Sequence, residues 1–474
     1  MTPLSSSATL DFAGPVDGHP LRSRFGLWLL ASLTALLVTF CVSVTSTTWL
    51  GWTVGFVYIA YDTWLLLMMV RSSRRAVLAP AAPALPSALL PTVAVLVAAR
   101  NEASVIVATV EAALRQDAPP DQLLVVDDGS TDGTLAALRE RFAVTFSPGA
   151  QLGTSGTEPT LRVLTKPNSG KARSLNEALA HCDADLVLTL DADTLLAPGA
   201  VGAVRRAFAE DRTLTVACGA ITPKCQGRVS GPAFQLYQTF EYLRSFLWRA
   251  AWASKKSLLL VSGAFAAFRR DALLAVGGFD PSSMVEDYEV MFRLHRRSVE
   301  TLGVPLEVRV LAEARATTDA PARPRTFLRQ RQRWFAGFIE TLFRHHDLVG
   351  NPRYGRLGTF HLLVKTLDTL LPIYGLCSTV ALVFLLVRGA SLPRVVLLLL
   401  IAKFVFDFGC HLYSLLLHQR WMAARVTAGL LVRAAVATLS EPFFFQILRQ
   451  LGAVLGWVAF LRGRIEWAPQ RETV

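Results

Sequence analysis

Two aspartates, Asp191 and Asp193, stand two residues apart directly after the apolar run 186–190. Side chains at positions i and i+2 lie on the same side of an extended chain, so the two carboxylates point in one direction. Carboxylate oxygens suit Mg²⁺ or Mn²⁺, which proteins hold with one or two carboxylates plus the phosphate oxygens of a substrate. The alternative is a polar surface turn, but the buried strand expected immediately before the pair favours a metal site.

A second pair of acids, Asp127 and Asp128, follows the apolar run 123–126 and opens the turn 129–133. The carboxyl end of a parallel strand is where α/β sheets bind nucleotides. A carboxylate at that place accepts a hydrogen bond from the imide N–H of uracil or from a ribose hydroxyl. The alternative is an Asp-rich turn that caps the next helix.

The segment 166–176 reads Lys-Pro-Asn-Ser-Gly-Lys-Ala-Arg-Ser-Leu-Asn, a basic loop that contains Lys171 and enters a helix. Backbone N–H groups and cations at such a loop suit a phosphate group. A solvated basic loop is the alternative.

Two further acids, Glu286 and Asp287, follow a Gly-Gly-Phe-Asp turn at residues 277–280. A carboxylate here can act as the general base on an acceptor hydroxyl. The alternative is a pair of acids that only stabilise the N-terminus of a helix.

An amide, a guanidinium and an indole, Gln330, Arg333 and Trp334, lie at positions i, i+3 and i+4 and so share one helix face. Arg333 can pair with a diphosphate, and Trp334 can stack on a sugar ring. A basic helix with Arg and Trp is also typical of a membrane interface. We expect this helix both to lie on the membrane and to close the site.

The elements that must position these side chains alternate along the chain. The run 93–98 is continuously apolar, as expected of a buried parallel strand. Further strands are predicted at 123–126, 161–164 and 186–190, and helices at 104–116, 135–142 and 174–180. This order predicts an α/β domain of Rossmann-like type with helices on both faces of the sheet.

Apolar runs flank this domain, and 52% of the 474 residues are hydrophobic. Runs at 25–44, 49–70, 369–387 and 395–417 have the length of membrane spans. The run 426–461 fits either one span plus an interfacial helix or a hairpin of two. Arg71, Arg74 and Arg75 follow the second run and predict that this end, and the N-terminus with it, is cytosolic.

The net charge of +12 does not indicate nucleic-acid binding, because no nucleic-acid module is present. The basic residues cluster beside apolar runs, which fits anionic membrane lipids. The six cysteines form no metal-binding spacing. They also suggest no disulfide framework, in agreement with a reducing compartment for the soluble part.

These motifs, in this order, resemble family 2 glycosyltransferases of the membrane-bound synthase type, the group of cellulose, chitin, hyaluronan and poly-N-acetylglucosamine synthases. The resemblance covers roughly residues 70–360 and implies a GT-A-type nucleotide-sugar-binding domain, an inverting reaction and Mg²⁺ or Mn²⁺ as cofactor. It implies that the donor nucleotide-sugar is bound by Asn101, Glu102, Asp127, Asp128, Lys171, Asp191, Gln330 and Arg333.

The resemblance also implies roles at the reacting centre. Asp191 and Asp193 match the metal-binding Asp-x-Asp element, and Glu286 and Asp287 match the catalytic element with Asp287 as the base. The residues matched to acceptor binding are Trp334 and, in the loop 262–265, Gly263 and Phe265. Val285 stands where cellulose synthases have Thr, and the basic loop is closer to that of poly-N-acetylglucosamine and chitin synthases.

The resulting expectation is an enzyme of the cell inner membrane with a cytosolic catalytic domain. It would move N-acetylglucosamine or glucose from a UDP-sugar to a growing polysaccharide, beside membrane lipids and export-complex subunits. Single addition to a lipid acceptor and a non-catalytic export subunit are the alternatives. The predicted division is a disordered N-terminus at 1–24, spans at 25–70, a linker at 71–91, the catalytic domain at 92–322, interfacial helices at 323–358, C-terminal spans at 359–464 and a tail at 465–474.

Three ionisable residues, Lys403, Asp407 and His411, are spaced by four within one predicted span and so share a helix face. Ionisable groups inside a bilayer usually face the interior of a bundle. We expect the three to pair with each other, either as a structural ion pair or as the lining of a polar path for the product. Together with spans on both sides of the domain, such a path favours a processive enzyme.

Overall fold

The computed structural model describes residue 20 and residues 23–45, 49–77, 90–156, 160–227, 229–388 and 394–463. Its helices are α1 Arg24–Thr45, α2 Trp49–Val77, α3 Ile106–Leu114, α4 Thr134–Phe142, α5 Lys171–Ala180, α6 Ala200–Glu210, α7 Gly231–Ala253, α8 Arg270–Ala275, α9 Glu286–Thr301, α10 Pro324–Arg344, α11 Leu362–Val387, α12 Arg394–Trp421, α13 Ala428–Ser440 and α14 Phe445–Arg462. Its strands are β1 Val93–Ala99, β2 Gln122–Asp128, β3 Thr145–Phe146, β4 Leu152–Thr154, β5 Leu161–Lys166, β6 Leu186–Asp191, β7 Thr194–Leu196, β8 Val216–Cys225, β9 Phe265–Arg269 and β10 Val308–Ala320.

One sheet organises the catalytic domain, with strand order β3-β4-β5-β2-β1-β6-β9-β8-β10-β7. Strands β5, β2, β1 and β6 run parallel as a central block. Alternate residues of β1 enter two different cores, with Val95 and Val97 on one face and Ala94 and Leu96 on the other. Burial on both faces explains the continuous apolar runs and confirms the α/β prediction.

The predicted strands and helices of this block are present with shifted ends. The helix predicted at 104–116 is shorter, at Ile106–Leu114, and the one predicted at 174–180 begins earlier, at Lys171. Beyond β6 the sheet is mixed, because β9 lies antiparallel between β6 and β8, a pairing that the sequence did not predict. Strand β7 also pairs antiparallel, with β10.

Helices occupy the positions of the predicted spans. Helix α2 continues to Val77, so the predicted linker starts too early at residue 71; Arg, Ser and Ala do not break a helix. The remainder of that linker at 78–89, residue 464 and the predicted tail at 465–474 lie outside the described residues. So does the predicted disordered N-terminus, except residues 20, 23 and 24.

Within the described ranges, no single helix combines the length and the hydropathy needed to cross a membrane. One bent pair, Ala428–Phe443 with Phe445–Arg462, meets both requirements together, with a bend of 48°. At this bend the two helices run in the same general direction, so the hairpin alternative for 426–461 is wrong. The transmembrane bundle stays a prediction.

The ionisable residues of α12 are arranged differently from the expectation. Lys403 forms an ion pair with Asp407, as predicted, and its Nζ also lies 2.7 Å from Oδ2 of Asp62 in α2. The prediction is wrong for His411, whose Nδ1 is buried without a hydrogen-bond partner in the described part of the chain. The ion pair therefore joins α12 to α2 instead of extending along α12.

Candidate active site

The acidic motifs meet at the carboxyl edge of the parallel block. In the strand register, Asp127 lies beside Ala99, and Asp191 lies beside Ala98. Asp128 lies beside Lys166 at the end of β5. Residues that are 64 positions apart in sequence are thus brought to one edge, because the carboxyl ends of neighbouring parallel strands coincide.

Asp287 lies in the first turn of α9, where the N-terminus of the helix favours negative charge. Its Oδ2 accepts the backbone N–H of Gly263 at 2.7 Å. Burial, with the charge of the neighbouring Glu286, raises the pKa of Asp287 to about 6. The carboxylate is therefore ionised at neutral pH but more basic than an exposed aspartate, as a general base requires.

Lys171, the first residue of α5, joins the two acidic motifs. Its Nζ lies 2.7 Å from Oδ1 of Asp191 and 2.8 Å from Oε1 of Glu286. Burial alone would lower the pKa of Lys171, but Asp191, Glu286 and Asp287 raise it above its ordinary value. The ammonium group is charged and holds the acids of β6 and α9 together.

The turn that leads into α9 is fixed from the same helix. Asn176 of α5 donates its side-chain N–H to the carbonyl of Phe279 at 2.7 Å and accepts the Phe279 backbone N–H at 2.8 Å. Gly278 has φ +73°, and a Cβ there would lie 2.4 Å from Oδ1 of Asn176. Helix α5 thus positions the proposed base through Asn176 as well as through Lys171.

Asp193 lies in the turn between β6 and β7. Its Oδ1 accepts the hydroxyl of Thr318 at 3.0 Å, and Thr318 in turn accepts the hydroxyl of Thr194 at 2.8 Å. The side chain of Asp191 is 36% exposed, so a ligand can reach it.

The described residues contain no group of three or more His, Cys, Asp or Glu that could hold a metal by itself. Two carboxylates at an accessible edge, one already bound to a cation, nonetheless fit a hard dication that takes its other ligands from substrate phosphates and water.

The residues predicted to bind the nucleotide lie at the end of β2 and in the turn after β1. Asn101 has φ +56°, a left-handed conformation that asparagine tolerates, and its Oδ1 accepts the backbone N–H of Thr131 at 2.8 Å. The backbone N–H of Glu102 donates to Oγ1 of Thr134 at 2.8 Å. Burial raises the pKa of Asp127. The turns after β1 and β2 are therefore tied together around a carboxylate at the strand end.

Asp128 has a different position from the one expected for a direct nucleotide contact. Its two oxygens accept the backbone N–H groups of Ser169 and Gly170, each at 2.8 Å, and its side chain is buried. At Gly129, where φ is +70°, a Cβ would lie 2.7 Å from the backbone nitrogen of Asn168. Asp128 thus holds the basic loop against the β2 turn, and this support was not apparent in the sequence.

Helix α10 carries the amide, guanidinium and indole of the predicted motif. Gln330 is buried, whereas Arg333 and Trp334 are partly exposed. At Gly337, a Cβ would lie 2.7 Å from the side chain of Val285, directly before the acids of α9. The absence of a side chain at residue 337 lets α10 approach the proposed base.

Arg331 is a residue of α10 that the sequence analysis missed. Its guanidinium lies 4.6 Å from the ring centroids of both Phe327 and Trp334, and it donates to Oε2 of Glu241 at 2.7 Å. The i−4 and i+3 spacing of the two rings was visible in the sequence, but the partner in α7 was not.

Helix α14 packs closely against α10. A Cβ at Gly452 would lie 2.5 Å from Cβ of Arg331, and one at Gly456 would lie 2.6 Å from Cβ of Phe335. Two glycines four residues apart permit this close packing.

Two residues predicted to contact the acceptor, Gly263 and Phe265, have different positions in the structure. Gly263 contributes its backbone N–H to Asp287, which sequence reasoning did not identify. Phe265 is fully buried, and a Cβ at Gly219 would lie 2.2 Å from its ring. The expectation of an acceptor contact by the Phe265 side chain is therefore wrong, because this ring packs in the core beneath the site.

Comparison with known proteins bears on the same region. Residues 91–337 match the sequence model of the family described as "Glycosyltransferase like family 2". The poly-beta-1,6-N-acetyl-D-glucosamine synthase of Staphylococcus aureus (strain COL) is 25% identical over 283 residues, 59% of this chain and 62% of that protein. The enzyme of the same name from Staphylococcus epidermidis is 25% identical over 280 residues, with the same coverage. The chain thus spans less than two thirds of the length of these relatives.

A mannosyltransferase of Pyrobaculum calidifontis, solved in complex with GDP-Man and Mn²⁺, superposes with a TM-score of 0.52. It is 21% identical and covers 82% of this chain and 98% of its own. This likeness supports the overall fold.

Proposed function

The chain belongs to the family described as Glycosyltransferase like family 2, and from this membership we propose that it transfers a sugar from a UDP-sugar to a carbohydrate acceptor with inversion at the anomeric carbon. The observation that carries the proposal is the joining of Asp191, Glu286 and Asp287 around Lys171 at the carboxyl edge of the sheet. It gives a base, a cation and a proposed metal ligand in one accessible place.

In the proposed reaction, Asp287 takes the proton of an acceptor hydroxyl. The hydroxyl oxygen forms a bond to the anomeric carbon while the bond from that carbon to the diphosphate breaks in line, which inverts the configuration. The Gly263 N–H holds one carboxylate oxygen of Asp287 in place during this transfer.

The negative charge that develops on the leaving diphosphate needs a counter-charge. We propose that Lys171 and Arg333 provide it. Asp191 and Asp193 would hold Mg²⁺ or Mn²⁺, which supplies charge neutralisation to the diphosphate when bound.

We propose Asn101, Glu102 and Asp127 as the nucleotide side of the donor site, supported by Asp128, and Gln330 as a further donor contact. Trp334 would stack on the terminal sugar of the acceptor. The names of the staphylococcal relatives favour N-acetylglucosamine as the donor sugar and a polysaccharide as the product.

The membrane setting is part of the proposal. Helices α1 and α2 precede the domain and α11 to α14 follow it, and the bent pair Ala428–Phe443 with Phe445–Arg462 supports a span beside a cytosolic catalytic domain. We propose processive synthesis with delivery of the product beside these helices, in contact with membrane lipids and subunits of an export complex.

The experiment is incubation of the full-length purified protein with labelled UDP-N-acetylglucosamine, UDP-glucose or GDP-mannose, followed by sizing of the products. We expect a ladder or a long polysaccharide from UDP-N-acetylglucosamine and none from the Asp287→Asn variant. A single-sugar lipid as the only product at donor excess would replace the polymer with the lipid acceptor. Transfer only from GDP-mannose would contradict the proposed donor.

A further inference from the structure

Lys171 occupies a place where two kinds of cation would compete. Its Nζ is 2.7 Å from Oδ1 of Asp191, the same carboxylate that we propose as a metal ligand. Its second contact is 2.8 Å to Oε1 of Glu286, in the first turn of α9. A Cβ at Gly263 would be 3.1 Å from this Nζ and 3.1 Å from Oδ2 of Asp287, so the base is close by as well.

The electrostatic need for a cation at this position is large. Asp191, Glu286 and Asp287 come together around one ammonium group, and Asp193 follows Asp191 by two residues. Like charges at such distances repel strongly where water is partly excluded. A cation between these carboxylates therefore reduces their mutual repulsion when the donor and its metal are absent.

The position of Lys171 allows its ammonium group to move away from Asp191. It is the first residue of α5 and follows Gly170, whose φ of +96° turns the chain into the helix. The Lys171 side chain is 30% exposed, and a lysine ammonium is a point charge on a flexible four-carbon stem. The ammonium can therefore release Asp191 while it keeps its contact with Glu286.

Resting on the proposed function, we propose that the Lys171 ammonium is the resident counter-cation of Asp191 in the donor-free enzyme and gives up that carboxylate to the divalent cation that enters with the donor. Lys171 then remains at Glu286, where its charge faces the leaving diphosphate. The exchange makes metal binding weak without donor and strong with it, because the Asp191 oxygen becomes available only when a second anion attracts the ammonium away.

The test measures Mn²⁺ binding by electron paramagnetic resonance on the full-length purified protein, with and without UDP. In Lys171→Gln, we expect donor-free Mn²⁺ affinity at least about tenfold tighter than in the wild type, because a competing charge is removed. UDP, whose phosphates also bind the metal, should strengthen Mn²⁺ binding by a smaller factor in this variant than in the wild type. Lys171→Arg keeps the charge and should bind donor-free Mn²⁺ as weakly as the wild type.

Arg173→Gln is the matched control, since it removes one positive charge from an exposed position two residues along the same helix. It should leave Mn²⁺ affinity within about twofold of the wild type, as expected for a solvated surface charge. If Lys171→Gln does not fold, as judged by its thermal unfolding, Lys171→Met is measured in its place.

The outcomes separate the inference from the proposed function. Donor-free Mn²⁺ affinity in folded Lys171→Gln or Lys171→Met that equals or falls below the wild-type value overturns the exchange, even if transfer from the UDP-sugar is observed. No Mn²⁺ binding to any variant, with or without UDP, overturns both the proposed metal and the exchange.

Discussion

The backbone N–H of Gly263 donates to Oδ2 of Asp287 over 2.7 Å. This bond uses one oxygen of the carboxylate and leaves the other for an acceptor hydroxyl. Because the donor is a backbone N–H two residues before β9, this hydrogen bond to the proposed base does not depend on the rotamer of another side chain.

Replacing the proposed base should affect turnover more than binding. We expect Asp287→Asn to lower kcat by at least about 10²-fold, the low end for general-base catalysis, with nearly unchanged affinity for the donor. The measurements are UDP-sugar titration and initial rates on the same preparation. Lost donor binding with normal turnover of the bound donor would assign Asp287 another role.

The pH dependence of the reaction should report the same carboxylate. Since burial and Glu286 raise the pKa of Asp287 to about 6, the base becomes protonated, and kcat/KM falls, as the pH decreases through about 6. Glu286→Gln removes a like charge that raises this pKa, so the acidic limb of the profile should move to lower pH. A limb that stays in place, or moves upward, would contradict this electrostatic account.

Metal binding should depend on Asp193 and on the Thr318 hydroxyl that donates to it. We expect Asp193→Asn to remove most turnover, because a neutral amide binds a hard dication poorly. Thr318→Val removes the hydrogen bond to Asp193 and should weaken metal affinity about 10- to 100-fold, as is typical of residues that orient a ligand. Full activity of Asp193→Asn after chelator treatment would show that no metal is needed.

Arg331 should act on the acceptor through Trp334. Arg331→Met removes the guanidinium from both rings and from Glu241, so Trp334 loses a contact worth about 1–2 kcal/mol. We expect a higher KM for an oligosaccharide primer, by at most about 30-fold, the factor that 2 kcal/mol corresponds to. The KM for the donor should not change, and Arg331→Lys should recover part of the effect. Arg329→Met, on the exposed side of α10, is the control. An equal rise of the primer KM in Arg331→Met and Arg329→Met would show that Arg331 has no special role in acceptor binding.

Asp128 should matter for donor binding through the basic loop. In Asp128→Asn, one of the two backbone N–H groups of Ser169 and Gly170 faces an amide N–H, at a cost of about 1–3 kcal/mol. We expect weaker UDP binding by calorimetry and a lower unfolding temperature, with Asp117→Asn at an exposed position as the control. Unchanged UDP affinity would show that the loop does not depend on this carboxylate.

The central parallel block could be predicted because each of its strands is recognisable from a short stretch of sequence. Runs such as 93–98 are apolar at every position, which only a strand buried on both faces needs. The acids at 127 and 191 follow directly, since they stand where those strands end. Strand β9 could not be placed in this way, because nothing within Phe265–Arg269 specifies antiparallel pairing with Leu186–Asp191.

The residues that hold the site in place were harder to predict from the sequence than its acidic residues. Asp128 looked equivalent to Asp127, and only the fold shows its oxygens bound to a loop 41 residues further along. Glu241 lies 90 residues before its partner Arg331, so no spacing pattern connects them. Sequence motifs identify the residues with suitable chemistry. Contacts between segments that are distant in sequence determine which of these residues can face the ligand.

The contact between Gly337 and Val285 has a mechanical consequence. No rotamer at residue 337 can adjust the gap between the proposed base and Trp334, because there is no side chain to rotate. The spacing between the backbones at Gly337 and Val285 can change only if α10 shifts against α9, and the close fit of Gly452 and Gly456 against Arg331 and Phe335 resists a shift of α10 relative to α14. We therefore expect a displacement of α14 to move α10, and Trp334 with it, relative to the proposed base.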